Sequence, residues 1–244
     1  MQKSKYLVYS LMFLLSLTIN GSCQVQTDNN KSSKGSISET RNVTKFSEID
    51  LMISANVELK QGSPQKLVLE GDADDLEKVV TEVSGSELKI RTRPGSWNIN
   101  RIKVYITMED IESINISGSG SIKAEPGVKT GNLELVVSGS GNINVPELSV
   151  QRISSVISGS GNISYSGNSV ANESKLVVTG SGNINAAGLM TNNSKVTITG
   201  SGDCNVAANE KLDVQITGSG SVYYKGKALI DANVTGSGKV RQSN

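Results

Sequence analysis

From residue 111 onward, apolar and polar positions alternate in a frame that repeats about every 20 residues. One column of the frame is always β-branched: Ile116, Val137, Ile157, Val178, Ile198, Ile216 and Val234. Two places earlier stand Ile114, Leu135, Ser155, Leu176, Val196, Val214 and Ala232. Six places after the β-branched column come Ile122, Ile143, Ile163, Ile184, Cys204 and Val222 (Val240 on the last copy). The columns between are polar or mixed, with Glu134, Lys175, Lys195 and Asp213 on one side and Asn144, Ser164, Asn185 and Asn205 on the other. Period-two alternation of this kind is the mark of a half-buried strand, and no apolar period of 3.6 competes with it.

Between the two apolar columns lies Ser or Thr followed by Gly-Ser-Gly, seven times over, beginning at Ser117, Ser138, Ser158, Thr179, Thr199, Thr217 and Thr235. In a continuous strand the glycines fall on the inward side, where the absent side chain admits another backbone closely. In a bent chain they supply conformational freedom instead. Either way they stack at one place on every unit. A period near 20 sustained over seven copies means one structural unit piled on itself. The expected fold is all-β: a right-handed parallel β-helix, whose seven regular rungs span about 30–35 Å at the strand spacing of ~4.8 Å. No rung can bury its own face, so stability resides in the stack.

The remaining chain divides into three parts. Lys3 and Lys5, then the apolar run 6–19 and the small residues Gly21 and Ser22, read as a signal peptide over residues 1–23. The run is too short to span a bilayer. Ile19-Asn20-Gly21-Ser22-Cys23 matches a lipoprotein signal poorly, because the aliphatic residue stands one place too early; lipid on Cys23 and removal of Cys23 both stay open. Residues 24–43 are polar and read as a flexible linker. Residues 44–244 form the β-helical domain, with its regular repeats over 111–242. Between 46 and 106 the strand signals are less regular, and Asp72–Val80 is the one helical signal. These units are expected to form the first rungs or a cap on the stack.

Composition removes whole classes of chemistry. The chain has no histidine, which excludes Ser-His-Asp triads, Cys-His pairs and histidine metal sites. Of the two cysteines, Cys23 sits at the signal boundary and Cys204 in an inward column, where it reads as a small buried hydrophobe. Net charge is +1 with no basic patch, which argues against nucleic acid. Asp72, Asp74 and Asp75 form the one dense acidic cluster, at the start of the helical signal, where they favour the positive end of the helix dipole. Lys195 and Asp213 lie on consecutive rungs and are expected to pair, while Asp231 continues their column. Asn142, Asn162, Asn183 and Asp203 follow the motif directly and are read as a rung-to-rung amide ladder; calcium prefers carboxylates, and only Asp203 brings one. Trp97, after Pro94-Gly95-Ser96, is the one indole available for sugar stacking, and packing in a cap is the plainer role. No catalytic, cofactor-binding or metal site is expected, and no cofactor.

The seven Gly-Ser-Gly copies, often continued as Asn-Ile, together with Phe46-Ser47-Glu48-Ile49 and Val57-Glu58-Leu59-Lys60-Gln61-Gly62, resemble the head GIN domain putative autotransporter-adhesin family of Bacteroidetes. The resemblance covers about residues 45–240 and implies a β-helix, an exported or envelope location and a role in adhesion without a catalytic set. Asp203-Cys204 and Ser221-Val222 depart from Asn-Ile, which affects the uniformity of the ladder. Two functions remain: a non-enzymatic binding module, reaching glycans or surface proteins through outward Ser, Thr and Asn, and a β-helical polysaccharide-active enzyme. An exposed end rung invites self-association or strand addition. Contact with a membrane is expected only through lipid on Cys23. The location is then periplasm, outer membrane or cell surface.

Overall fold

The computed structural model describes residues 35–96, 99 and 101–243. Residues 1–23 with Cys23, most of the linker, and Trp97 lie outside the described residues. The irregular N-terminal part holds β1 (Ile37–Arg41), β2 (Glu48–Leu51), β3 (Ala55–Gln61), β4 (Lys66–Gly71), α1 (Ala73–Leu76), β5 (Val79–Ser84), β6 (Glu87–Thr92) and β7 (Ile102–Met108). The regular part follows with β8 (Ser113–Ile116), β9 (Ser121–Ala124), β10 (Val128–Val137), β11 (Asn142–Pro146), β12 (Leu148–Gly159), β13 (Asn162–Ser166), β14 (Ser169–Gly180), β15 (Asn183–Gly200), β16 (Cys204–Gly218), β17 (Ser221–Lys225), β18 (Leu229–Gly236) and β19 (Lys239–Gln242). From β8 on, each strand pairs parallel with the equivalent strand of the next repeat, which makes the domain a parallel β-solenoid.

The columns read from the sequence are the columns of the stack. Ile90, Leu51, Ile116, Val137, Ile157, Val178, Ile198, Ile216 and Val234 lie in register on one face. Val104, Val57, Ile122, Ile143, Ile163, Ile184, Cys204, Val222 and Val240 do so on the other. Most of these side chains are essentially inaccessible, and each fully buried Ile or Val contributes about 1.5–3 kcal/mol. Cys204 is a free, buried thiol whose burial pushes its pKa up to about 12, in keeping with a core hydrophobe.

At the motif both readings of the glycines hold together. The chain bends there, and the bend brings each turn onto the backbone of the one before. The first glycine's carbonyl accepts two N–H groups from the next rung: Ser160 and Gly161 donate to Gly139, and Ser181 and Gly182 to Gly159. The same pair recurs on Gly180, Gly200 and Gly218. A Cβ on Gly139 would stand 2.6 Å from the Gly118 oxygen, closer than real carbons approach. The repeat is therefore a structural hinge.

Two expectations change near the N-terminus. Residues 37–41, placed in the flexible linker, form β1 and pair antiparallel with β4. The irregular units are rungs and cap at once, but not in chain order. The rung β2–β3 lies between β6–β7 on one side and β8–β9 on the other. Beyond β6–β7 the pairing becomes antiparallel, through β5 on β6 and through β4 and β1 on β7 and β4. The reason is chain length: Gly85-Ser86 alone links β5 to β6, and so short a loop allows only a hairpin. Among the described residues helix is confined to α1, four residues long. Asp72 occupies its N-cap without a side-chain hydrogen bond, so the expected capping holds by position alone; Asp74 and Asp75 lie in the first turn, and Asp75 meets Lys78 at 2.7 Å.

A candidate binding groove

Alternation breaks once per rung, about five residues before the β-branched column. Gly131-Asn132, Gln151-Arg152 and Asn172-Glu173 are consecutive exposed pairs, and Asn192-Asn193 are both half-buried. The ladders step over the first member of each pair, so the strands kink at one level. The kinks superpose into a groove of about 850 Å³ crossing β10, β12, β14, β15 and β16. Four steps at ~4.8 Å make it about 19 Å long.

Its floor is one register column: Leu133, Ile153, Ser174 and Ser194. The floor is apolar toward β10, and at its middle the buried Ser174 Oγ donates to Ser194 Oγ at 2.7 Å. One wall is Asn132, Arg152, Glu173, Asn193 and Lys211, with Arg152 Nε donating to Asn132 Oδ1 at 3.2 Å. The other wall is Glu134, Ser154, Lys175, Lys195 and Asp213. Glu112 closes the β10 end, where its carboxylate accepts from Ser47 Oγ at 2.9 Å. A shallower space of about 320 Å³, sharing Lys195, Lys211 and Asp213, continues past β16 to Asp231 and Asn233.

Charges of both signs line the groove, with Arg152 and Glu173 between its two ends. Glu112 and Glu134 mark one end; Lys175 and Lys195 stand side by side nearer the other. The expected Lys195–Asp213 pair is not what forms. Asp213 takes Lys211, two residues away on its own strand, at 2.8 Å from Oδ1 and 2.9 Å from Oδ2. Asp213 lies in register with Lys195 on the rung before, yet its carboxylate closes on Lys211 of its own strand. Among the described residues, Lys175 and Lys195 have no ion pair. Like charges facing each other on adjacent strands cost up to about 1 kcal/mol.

The residues singled out in sequence divide sharply. Glu134, Lys175, Lys195, Asp213 and Asp231 line the groove or its extension, whereas Asp72, Asp74 and Asp75 sit on α1 and Cys204 lies in the core. Asn142, Asn162 and Asn183 form the expected ladder. Asn162 Nδ2 donates to Asn142 Oδ1 at 2.9 Å, and Asn183 Nδ2 to Asn162 Oδ1 at 3.2 Å. Asp203 ends the row: its backbone N–H donates to Asn183 Oδ1, and its carboxylate accepts the Ser221 N–H at 2.7 Å. Asn162 sits mid-ladder with a bond on each side, so Asn162→Ala should cost about 1–2 kcal/mol in denaturant unfolding, against almost nothing for Ser160→Ala. Sequence reading missed Asn132, Arg152, Glu173, Ser174, Asn193 and Ser194. The signal was present, as two adjacent polar positions recurring where alternation should continue.

A capped parallel β-solenoid with a charged groove across its rungs is a repeat-protein scaffold of the kind that binds along its length. The model of the family described as "Putative auto-transporter adhesin, head GIN domain" matches residues 45–228, and the chain belongs to that family. Among solved structures, a putative adhesin of Bacteroides fragilis NCTC 9343 is 26% identical with a TM-score of 0.80, over 86% of this chain and 98% of that one. A structure described as a putative lipid binding protein, from Parabacteroides distasonis ATCC 8503, is 24% identical with a TM-score of 0.72, over 87% and 98%. A putative adhesin of Parabacteroides merdae ATCC 43184 shares the fold at 20% identity and a TM-score of 0.71, over 87% and 98%. No curated protein matches the chain.

Proposed function

We propose that this protein is an exported, non-enzymatic binding module of the cell envelope, and that it holds an extended, charged segment of a surface protein along the groove. The observation that carries the reading is the groove itself, with Glu112 and Glu134 at one end and Lys175 and Lys195 stacked toward the other, without an ion pair among the described residues. A partner strand carrying the opposite order of charge would relieve the lysine–lysine contact and find hydroxyls at the middle. Sugar rings find less here, since among the described residues no aromatic side chain lines the groove. A lipid tail wants an enclosed apolar pocket, whereas these walls are charged and the floor is apolar only at Leu133 and Ile153.

The polysaccharide-active alternative needs paired carboxylates. The structure does bring Glu112, Glu134, Glu173 and Asp213 into one groove, which sequence reading did not foresee. Glu134 and Asp213 stand four rungs apart, about 19 Å, against roughly 5–9.5 Å for a glycosidase pair; Glu112 and Glu134 lie on adjacent rungs, with the Glu134 N–H donating to the Glu112 carbonyl at 2.9 Å, and form the one close carboxylate pair among the described lining residues. Glu112 and Asp213 are held by Ser47 and Lys211.

The test is retention of matrix proteins, their peptides and glycans on the immobilised protein, with released products recorded in parallel. Lys175→Glu with Lys195→Glu should lower affinity for a retained protein about tenfold and flatten its salt dependence. Retention indifferent to both changes would move the site out of the groove. Released oligosaccharide would overturn the non-enzymatic reading.

A further inference from the structure

The two ends of the solenoid are finished differently. At the N-terminal end the outer parallel rung is covered by antiparallel strands, and Leu76 of α1 and Val79 of β5 there are 1% exposed. At the other end β18 pairs only with β16 and β19 only with β17, among the described residues. Every residue of β18 is exposed. Leu229 is 80% accessible, and Ile230 and Val234, which continue core columns, are 40% and 38%. This rung leaves a strand edge and the end of the core uncovered together, a combination that pairs with another strand unless it is blocked.

We infer that this edge is a self-association surface, on which β18 pairs antiparallel with β18 of a second copy about a two-fold axis. The inference does not depend on the groove's ligand. Three observations select a second copy. First, the molecule itself covers its outer parallel rung with antiparallel strands at the opposite end, and a two-fold axis delivers an antiparallel strand automatically. Second, the edge is self-complementary. With Ala232 on the axis, Ile230 faces the second copy's Val234, and every inward side chain stays inward, so the core column runs through the junction. In the same register Asp231, the one charge on β18, faces Asn233 and not another Asp231. Third, the size is adequate. Eight residues span about 26 Å and the two faces of a rung stand about 10 Å apart, so side chains included the contact covers on the order of 1,000 Å² in total. That is the lower bound of a specific interface and fits a reversible dimer with a dissociation constant on the order of micromolar. Asp231 and Asn233 also line the shallow continuation of the groove, so the two grooves meet at the axis.

Sedimentation velocity of the purified protein from about 1 to 200 µM tests this. The expected result is a monomer–dimer equilibrium that stops at the dimer. Asn233 is exposed and points away from the core, so its replacement leaves the fold intact, which circular dichroism checks. Asn233→Asp sets two acid pairs across the axis and should weaken the dimer about tenfold, whereas Asn233→Lys faces Asp231 twice and should tighten it by a similar factor. A monomer at every concentration overturns the inference, including one that captures an added peptide strand instead. So does open-ended polymerisation, or a dimer indifferent to both substitutions.

Discussion

Gly200→Ala is expected to lower stability by about 3 kcal/mol or more, by two separate routes. Gly200 has φ +125°, which a residue with a side chain adopts only under strain. Its missing Cβ also faces the carbonyl of Gly180 on the rung before, closer than any carbon could sit. That carbonyl cannot retreat, because it already accepts the N–H groups of Ser201 and Gly202. Relief would have to come from separating two rungs, and with them the β-branched columns on both sides. At this chain length, 3 kcal/mol corresponds to about 6–12 °C in the thermal midpoint. Gly131→Ala is the control. Gly131 has no atom within 4 Å of a built Cβ and no positive φ, so the change should leave stability within about 0.5 kcal/mol. Equal effects at the two positions would show that the motif's glycines are not set by rung contact.

The second large effect concerns the break in an apolar column. Leu135 and Leu176 flank Ser155 in register, and the reason for serine is Tyr165. Tyr165 projects into the same interior from the Val145 column, is 2% exposed, and shares a short hydrogen bond with the Ser155 hydroxyl. Burial also drives the phenol's pKa well above its ordinary value, so it stays neutral. Tyr165→Phe strands the serine hydroxyl and should cost about 1–3 kcal/mol; Ser155→Ala strands the phenol and should cost a similar amount. The double substitution removes both partners and should cost clearly less than the sum. Chemical denaturation of the four proteins measures it, and strict additivity would mean that the bond contributes nothing to the core.

These two sites also show how far the sequence reaches. The solenoid was legible because its cause is local and repeated: each strand must turn alternate side chains to a shared interior, and each bend must admit a neighbouring backbone. Ile116 through Val234 and the seven Gly-Ser-Gly copies record those demands directly. The asparagine ladder was legible for the same reason, since identical side chains at one register position can only meet one another. The groove was half legible. Its charged column stood out, but register places Lys195 beside Asp213 without deciding which side chain turns to the carboxylate, and Lys211 is the one that does.

Period alone dictates the strands, the inward columns, the glycines at the bends, the ladder and the parallel stack. The order of the N-terminal rungs, the switch to antiparallel capping, the filling of the Ser155 gap by Tyr165 and the alignment of the kinks into one groove were settled by tertiary packing. Those features arise where segments distant along the chain compete for the same neighbour, and no local pattern records which of them wins.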